Sequence, residues 1–333
     1  MAKYFIERIV FLILTLLIGL TIIFIISRST PIHPIDTIMQ QLSSYGGQLT
    51  QQQYNSIKDI YLRLYGLNRP VIDQYFSFLA GVLSGNFGPS FSSFPTPVIK
   101  LIERALPWTI GLLLTALIIS WVFGNLIGLL AGFYDKSGIS KFLQGLFVVI
   151  SPVPYPIIAL ILILLFVFMI PSFPIMGGMA LNVTPKFSLS YIFSIIEHAF
   201  LPALSIVISS MAGWFLSMRA LVMNIKSEDF VEFAKLRGLK KRKIVFNYVM
   251  RNVISPQITA LALNIGFIFN GALVTEYLFS YPGLGTLMYR AIMTGDMNTL
   301  VGVASLSVIG ITLATFIVEL MIPIIDPTIR QER

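Results

Sequence analysis

The sequence predicts an all-α, polytopic membrane protein with six transmembrane helices. Of its 333 residues, 56% are hydrophobic and 11% are charged, whereas roughly 25% are charged in an ordinary soluble domain. Such a chain cannot cover its own apolar surface in water, so lipid is the expected solvent. Its apolar residues fall into long runs, and one internal loop, residues 219–251, collects nine of the 23 lysines and arginines.

Six apolar runs are long enough to cross a bilayer. They lie near residues 9–27, 107–131, 142–170, 200–223, 257–280 and 298–322. The first run resembles a signal peptide, but its 18 residues from Ile9 to Ile26 exceed the usual apolar length of about 7–15. Because Ile26-Ser27-Arg28 is a poor cleavage site, this run is predicted to stay attached as a transmembrane helix.

The distribution of lysine and arginine predicts that both termini are cytoplasmic. With the N-terminus inside, the inner segments carry 15 of these residues and the outer segments carry eight. Amphipathic residues 57–83 favour helices lying on the outer face over a separate outer domain. The predicted divisions are a cytoplasmic N-terminus and first helix (1–27), an extracellular segment (28–106), a five-helix transmembrane core (107–322) with a cytoplasmic loop (224–256), and a cytoplasmic tail (323–333).

Alternate prolines interrupt the third predicted span at Ser151-Pro-Val-Pro-Tyr-Pro156. Each proline removes a backbone donor and constrains the residue before it, so a regular helix cannot continue. Backbone left unbonded at membrane depth must face protein or a watery cavity. Ser151, Pro152 and Pro154 are therefore candidates for lining a path through the membrane. An ordinary helix end or kink is the alternative.

Glu276 is the other candidate for such a path, because an acid in a span is a functional hypothesis by default. It lies near the outer end of the fifth predicted span. Water is within reach at the end of a span, so structural hydrogen bonding is the competing interpretation, and the one that the position favours.

Motifs for catalysis and cofactor binding are absent from the sequence. There are no cysteines, only two distant histidines (His33 and His198), no phosphate-binding G-x-x-x-x-G-K-[ST] loop and no G-x-S-x-G elbow. The chain is therefore predicted to be no enzyme, and to hold no metal or cofactor. The net charge of +8 is attributed to lysines and arginines that face anionic lipid on the inner side, not to nucleic acid.

The charged loop contains a short amphipathic helix, predicted between Ser227 and Gly238. The negative charges of Glu228 and Asp229 interact favourably with the partial positive charge at the start of a helix. Gly238 is a suitable C-terminal cap. Such a helix can insert its apolar face into a groove on a soluble partner. That face is predicted to carry Phe230, Phe233, Ala234 and Leu236-Arg237.

The same loop resembles the EAA-type signature of membrane-spanning permease subunits of binding-protein-dependent ABC transporters, dipeptide/oligopeptide class. Glu232 is followed by Ala234, by Gly238 six residues after the glutamate, and by Pro256. Asp229-Phe-Val and Arg237-Gly-Leu239 are similar to the peptide-class form. The loop departs from the signature at Phe233, where alanine is usual, and at Leu236, where a small residue is common.

The resemblance extends over nearly the whole chain, through motifs that are weak singly and specific in this order. They are Tyr65-Gly-Leu-Asn-Arg-Pro70, Gly85-Asn-Phe-Gly-Pro-Ser90, Pro97-Val98, Ser151-Pro-Val-Pro, Phe173-Pro-Ile-Met-Gly177, His198-Ala-Phe-Leu-Pro-Ala203, Glu276-Tyr-Leu-Phe-Ser-Tyr-Pro-Gly-Leu-Gly285 and Asp326-Pro-Thr-Ile-Arg330. In the last motif Thr328 stands where arginine is frequent.

The resemblance implies the type I permease fold of ABC importers and a multi-pass subunit of the cell membrane. Its implied partners are a second homologous permease subunit, two ATP-binding subunits, an extracellular substrate-binding protein and membrane lipid. The implied ATPase-coupling residues are Asp229, Phe230, Glu232, Phe233, Ala234, Arg237 and Gly238. The implied cargo is a short peptide, with an oligosaccharide as the alternative. From a different class, a secondary transporter or channel without ATPase partners remains the other hypothesis.

Overall fold

The structure is a computed structural model that describes residues 2–29, 50, 52–53, 55–56, 59, 68–171, 173–174, 176–183 and 188–325. Within these ranges its regular secondary structure is helical, apart from an isolated bridge between Pro89 and Pro97. The helices are α1 (Ala2–Ser29), α2 (Val71–Ser84), α3 (Val98–Phe133), α4 (Gly138–Ile150), α5 (Tyr155–Ile163), α6 (Leu189–Ile225), α7 (Asp229–Leu236), α8 (Met250–Phe267), α9 (Leu273–Leu278), α10 (Leu284–Thr294) and α11 (Met297–Ile325).

The membrane-spanning helices follow most of the predicted apolar runs. α1, α3, α6 and α11 are each long and apolar enough to cross. α4 and α5, with the π-helix Leu164–Met169 that continues α5, form a fifth span if that bent pair counts as one. α3 begins at Val98, nine residues before the predicted start, and so includes the end of the predicted extracellular segment. Residues 326–333 of the predicted tail lie outside the described residues, and so do residues 30–49 of the predicted extracellular segment.

The fifth predicted span, 257–280, is not one continuous helix. Helix begins earlier, at Lys241, and runs through a π-helical turn (Ile244–Val249) into α8. It ends at Gly271, whose φ of +69° lies in the left-handed region, and α9 follows as a separate short helix. A glycine adopts this backbone conformation without strain, which explains why the apolar run divides there.

The proline-rich break in the third span is confirmed. α4 ends at Ile150, α5 begins at Tyr155 after Pro154, and the two helices are bent by 98°. The hydroxyl of Ser209 on α6 donates to the backbone carbonyl of Val153 at 3.0 Å, so one acceptor freed by the break has a partner inside the protein.

α3 and α6 form the centre of the bundle and pack with little space between their backbones. Gly124, Gly128 and Gly132 lie four residues apart, and therefore on one face of α3. A β-carbon at Gly128 would lie 2.6 Å from the backbone oxygen of Phe215, and one at Gly124 would lie 2.6 Å from Cβ of Trp214. Small residues permit this close approach of membrane helices.

Contacts along the bundle fix its two ends. Arg8 near the start of α1 forms an ion pair of 3.0 Å with Glu319 near the end of α11. At the other end of α11, the carboxylate of Asp296 accepts a hydrogen bond from Ser90, which precedes α3. We call the end with Arg8, Glu319 and α7 the inner end, and the end with Ser90 and Asp296 the outer end.

Candidate functional site

The loop between α6 and α8 folds as the sequence predicts, with α7 as its central helix. Asp229 and Glu232 lie in the first turn, where negative charge is favourable. Gly238 ends the helix with a φ of +68°. The N–H of Gly238 donates to the carbonyl of Lys235 at 2.9 Å, and that of Leu239 to the carbonyl of Ala234 at 3.3 Å. This pair of bonds is a Schellman motif, so the predicted glycine cap is present.

One face of α7 packs against its own chain. Val231 is fully buried and Ala234 is 3% exposed. They belong to an apolar inner cluster that joins α3, α6, α7, the π-helical turn and α8. Its buried members are Leu129, Met218, Val222, Val231, Ala234, Ile244, Val245, Val249 and Val253. The inner cluster holds α7 on the bundle by burial of apolar surface.

The other face of α7 leaves three large apolar side chains in contact with solvent. Phe230 is 38% exposed, Phe233 is 64% exposed and Leu236 is 81% exposed. The predicted apolar face is therefore correct for these three residues and wrong for Ala234, which points into the inner cluster. The reason is helical spacing: Val231 and Ala234 are three residues apart and share the inward face.

The other residues assigned to coupling lie on the solvent side of this helix. Asp229, Glu232, Arg237 and Gly238 are all exposed. Lys235 donates a hydrogen bond of 3.4 Å to the backbone carbonyl of Lys226, which links the end of α7 to its approach.

An ion pair joins the α7 loop to the short connection between α3 and α4. The ammonium group of Lys226 lies 2.5 Å from a carboxylate oxygen of Asp135. This hydrogen bond lowers the pKa of Asp135 below its ordinary value. Both side chains are about a quarter exposed, with relative areas of 23% and 24%, so solvent screens the pair and its contribution to stability is small.

The candidates for the membrane path occupy two different environments. Ser151, Pro152 and Pro154 are exposed at the bend between α4 and α5. Glu276 on α9 is fully buried. The structure thus does not place all four at one surface.

Glu276 is surrounded by hydrogen-bond donors. One carboxylate oxygen accepts from the hydroxyl of Thr109 at 2.9 Å, and the other from the backbone N–H of Gly285 at 2.7 Å. The same Thr109 hydroxyl accepts from the N–H of Leu284 at 2.7 Å. Longer contacts of 3.5 Å and 3.4 Å come from the N–H groups of Ala272 and Thr286. This network joins α3, α9 and the start of α10, as the hydrogen-bonding interpretation expects.

Asp296 is a second buried carboxylate, and the sequence reasoning missed it. It caps α11 by accepting from the N–H and hydroxyl of Thr299 at 3.1 and 2.9 Å. It also accepts from the hydroxyl of Ser90 and from the N–H and hydroxyl of Ser92. Burial alone would raise the pKa of Asp296, but these hydrogen bonds outweigh it and lower the pKa below the ordinary 3.8. An aspartate just before a long apolar run is the signal for such a cap.

Within the described ranges no three His, Cys, Asp or Glu side chains lie close enough together to hold an ion.

Val231 is the other residue that the sequence reasoning missed, and its spacing from Ala234 was the available signal.

The bundle and the α7 loop define a class: a multi-pass, α-helical membrane component that presents a firmly held interaction helix at one end. Comparison with known proteins agrees with that class. Residues 124–331, which include α7, match the family described as "Binding-protein-dependent transport system inner membrane component". The chain belongs to this family and is a multi-pass protein of the cell membrane.

Relatives of similar length align with the whole chain. The oligopeptide transport system permease protein AppB of Bacillus subtilis is 29% identical over 330 residues, covering 99% of each chain. The dipeptide transport system permease protein DppB of Lactococcus lactis is 25% identical, covering 99% of this chain and 100% of its own. The dipeptide permease protein DppB of Bacillus subtilis is 26% identical, covering 99% and 98%.

Proposed function

We propose that this chain is the permease subunit of an ATP-driven importer of short peptides, and that α7 couples it to separate ATP-binding subunits. In this proposal the chain hydrolyses no ATP itself. It pairs with a second homologous permease subunit and receives cargo from an extracellular substrate-binding protein. Movement of the ATP-binding subunits reaches the bundle through α7.

The observation that carries this proposal is the two-faced character of α7. Val231 and Ala234 fix the helix to the inner cluster, whereas Phe230, Phe233 and Leu236 expose apolar surface beyond it. A side chain that is exposed, large and apolar gains free energy when a partner covers it. Because α7 is held by packing, a force on those three side chains acts on the ends of α6 and α8.

Peptide cargo rests on the relatives, which are named for oligopeptides and dipeptides. Those names favour peptides over the oligosaccharide alternative. A secondary transporter or channel would need no such exposed helix, and the family description, which specifies dependence on a binding protein, favours the importer. Ser151, Pro152, Pro154 and Glu276 stay predictions for the translocation path.

The substitution Phe233→Asp tests the coupling role. If Phe233 enters an apolar groove, burying an unpaired carboxylate there costs at least about 2 kcal/mol, or roughly a thirtyfold loss of binding. We expect cargo uptake and cargo-stimulated ATP hydrolysis by the reconstituted complex to fall at least tenfold. Thermal unfolding of the chain itself should not change, because this side chain is 64% exposed.

Phe233→Leu is the matched control, since it keeps an apolar side chain at the same position. It should retain most of the uptake. Unchanged uptake and ATP hydrolysis in Phe233→Asp would remove α7 from the coupling mechanism. Uptake driven by an ion gradient, with this chain alone in the vesicle, would instead support a secondary transporter.

The inner end is proposed to be cytoplasmic, so that α7 and both chain ends face the ATP-binding subunits. The absence of native cysteine makes single-cysteine labelling direct. In intact cells, a maleimide that cannot cross the membrane should label Leu181→Cys and leave Lys240→Cys unlabelled. Both positions are exposed in the structure. Labelling of Lys240→Cys alone would reverse the proposed orientation, and lysed cells provide the control in which both react.

A further inference from the structure

A basic cleft adjoins α7 on its C-terminal side. It has a volume of about 420 Å³ and is lined by Lys240, Arg242, Lys243, Phe246 and Asn247. All five residues are exposed. None of the exposed apolar side chains of α7 lines it, so the cleft is a different surface from the proposed coupling face.

The π-helical turn Ile244–Val249 shapes this cleft. Ile244, Val245 and Val249 point into the inner cluster, and Val249 is fully buried. A π-helix bonds each residue to the fifth one along, so residues 244 and 249 stack on one side. Phe246 and Asn247 therefore face outward and line the cleft together with the three cationic side chains. Wide turns of this kind are frequent at functional sites.

The charge around the cleft is of one sign. From Phe233 to Thr275 the sequence has seven lysines and arginines and no acidic residue. Within the described residues, the ion pairs Arg8–Glu319 and Lys226–Asp135 both lie outside the cleft. Lys240, Arg242 and Lys243 line one small cleft and repel one another, so an anionic occupant lowers the electrostatic energy of the site.

We propose that this cleft binds the phosphate of an anionic phospholipid. The residues supply what such a ligand needs: ammonium and guanidinium donors for the phosphate, an amide for a headgroup hydroxyl, and the Phe246 ring, which is 38% exposed, against the acyl region. Basic clefts beside membrane helices on the cytoplasmic side are suited to lipid headgroups. The cleft also lies on the helical segment that leads into α8. The proposal rests on the inner orientation of this loop.

Native mass spectrometry of the full-length chain can test this, with phosphatidylglycerol or phosphatidylcholine added to the detergent. We expect phosphatidylglycerol to be retained more strongly than phosphatidylcholine. The double variant Lys240→Gln/Lys243→Gln should lower phosphatidylglycerol affinity by about fivefold for each charge removed. The matched control Lys136→Gln/Lys141→Gln removes two exposed charges from the connection between α3 and α4 and from the start of α4, and should retain the native affinity. Thermal unfolding verifies that both variants are folded.

Equal phosphatidylglycerol affinity in the native chain and the cleft variant would overturn the proposal. An equal loss in both double variants would also overturn it, because binding would then follow overall charge. If the cleft variant keeps its lipid and, in the purified complex, retains less ATP-binding subunit than the native chain, the cleft belongs to a protein partner instead. None of these outcomes alters the Phe233→Asp test, so the two proposals fail independently.

Discussion

The inner end of the molecule leaves three large apolar side chains of α7 exposed, whereas the outer end buries two carboxylates. Phe230, Phe233 and Leu236 remain 38%, 64% and 81% exposed. Glu276 and Asp296 are fully buried, and donors from several chain segments surround each of them. Hydropathy alone would predict the reverse at each end, with the apolar side chains buried and the carboxylates exposed.

The difference separates surfaces that await a partner from sites that are complete. A buried carboxylate with several donors is stable where it lies, and removing it leaves those donors unpaired. An exposed phenylalanine gains energy only when something else covers it. Acidic residues near a membrane span are thus not by themselves evidence for a transport role, and the exposed face of α7 is the better guide to function in this chain.

The largest effect is expected from Val231→Asp, on the buried face of α7. A carboxylate in the inner cluster would have no partner, which costs about 4 kcal/mol or more in the free energy of unfolding. We expect strongly reduced folded yield and a lower melting temperature in detergent. Phe233→Asp, two residues away on the exposed face, introduces the same group and should leave both unchanged. Equal effects of the two changes would contradict the two-faced description of α7.

A smaller but substantial effect is expected from Glu276→Ala. The hydroxyl of Thr109 and the N–H of Gly285 would lose their acceptor, at about 1–3 kcal/mol for each buried group. The melting temperature of Glu276→Ala should fall. That of Glu276→Gln should fall less, because glutamine keeps one acceptor oxygen. A variant with native stability but abolished cargo uptake would contradict this structural role and support the prediction that Glu276 lines the translocation path.

The smallest effect is expected from Asp296→Asn, which keeps the shape and one acceptor oxygen of the capping residue. A loss of about 1–2 kcal/mol is expected from the weaker hydrogen bonds. Because folding lowers the pKa of Asp296, its contribution is fully present above the ordinary 3.8 and is lost as the pH falls below that value.

The pH dependence of unfolding provides the matched measurement. Between neutral and acidic pH, the native chain should lose more stability than Asp296→Asn. The control Asp73→Asn removes an exposed acid on α2 and should follow the native curve. Parallel curves for the native chain and Asp296→Asn would show that the carboxylate contributes nothing through its ionisation.

The sequence predicted features that depend on local chemistry. Prolines lack the backbone N–H that a continuous helix needs, so the alternate prolines predict a break, and α5 begins after it at Tyr155. A glycine six residues after Glu232 indicated a helix end, and Gly238 has the left-handed backbone that such an end requires.

Features that depend on distant packing were beyond the sequence. Ala234 and Phe233 are both apolar, and only the position of the inner cluster decides which one is covered. The fifth apolar run divides at Gly271, and α9 beyond it has a different direction that places Glu276 beside Thr109 of α3. That partner lies 167 residues away along the chain, and no local sequence pattern predicts the contact.

The close packing at Gly124, Gly128 and Gly132 also limits how the molecule can deform. With so little room between their backbones, α3 and α6 cannot slide past each other without a clash, so we expect them to tilt as one rigid rod. The 37 residues of α6 give that rod a length of about 55 Å at roughly 1.5 Å per residue. A small rotation at the α7 end would consequently become a displacement of several ångströms at the far face.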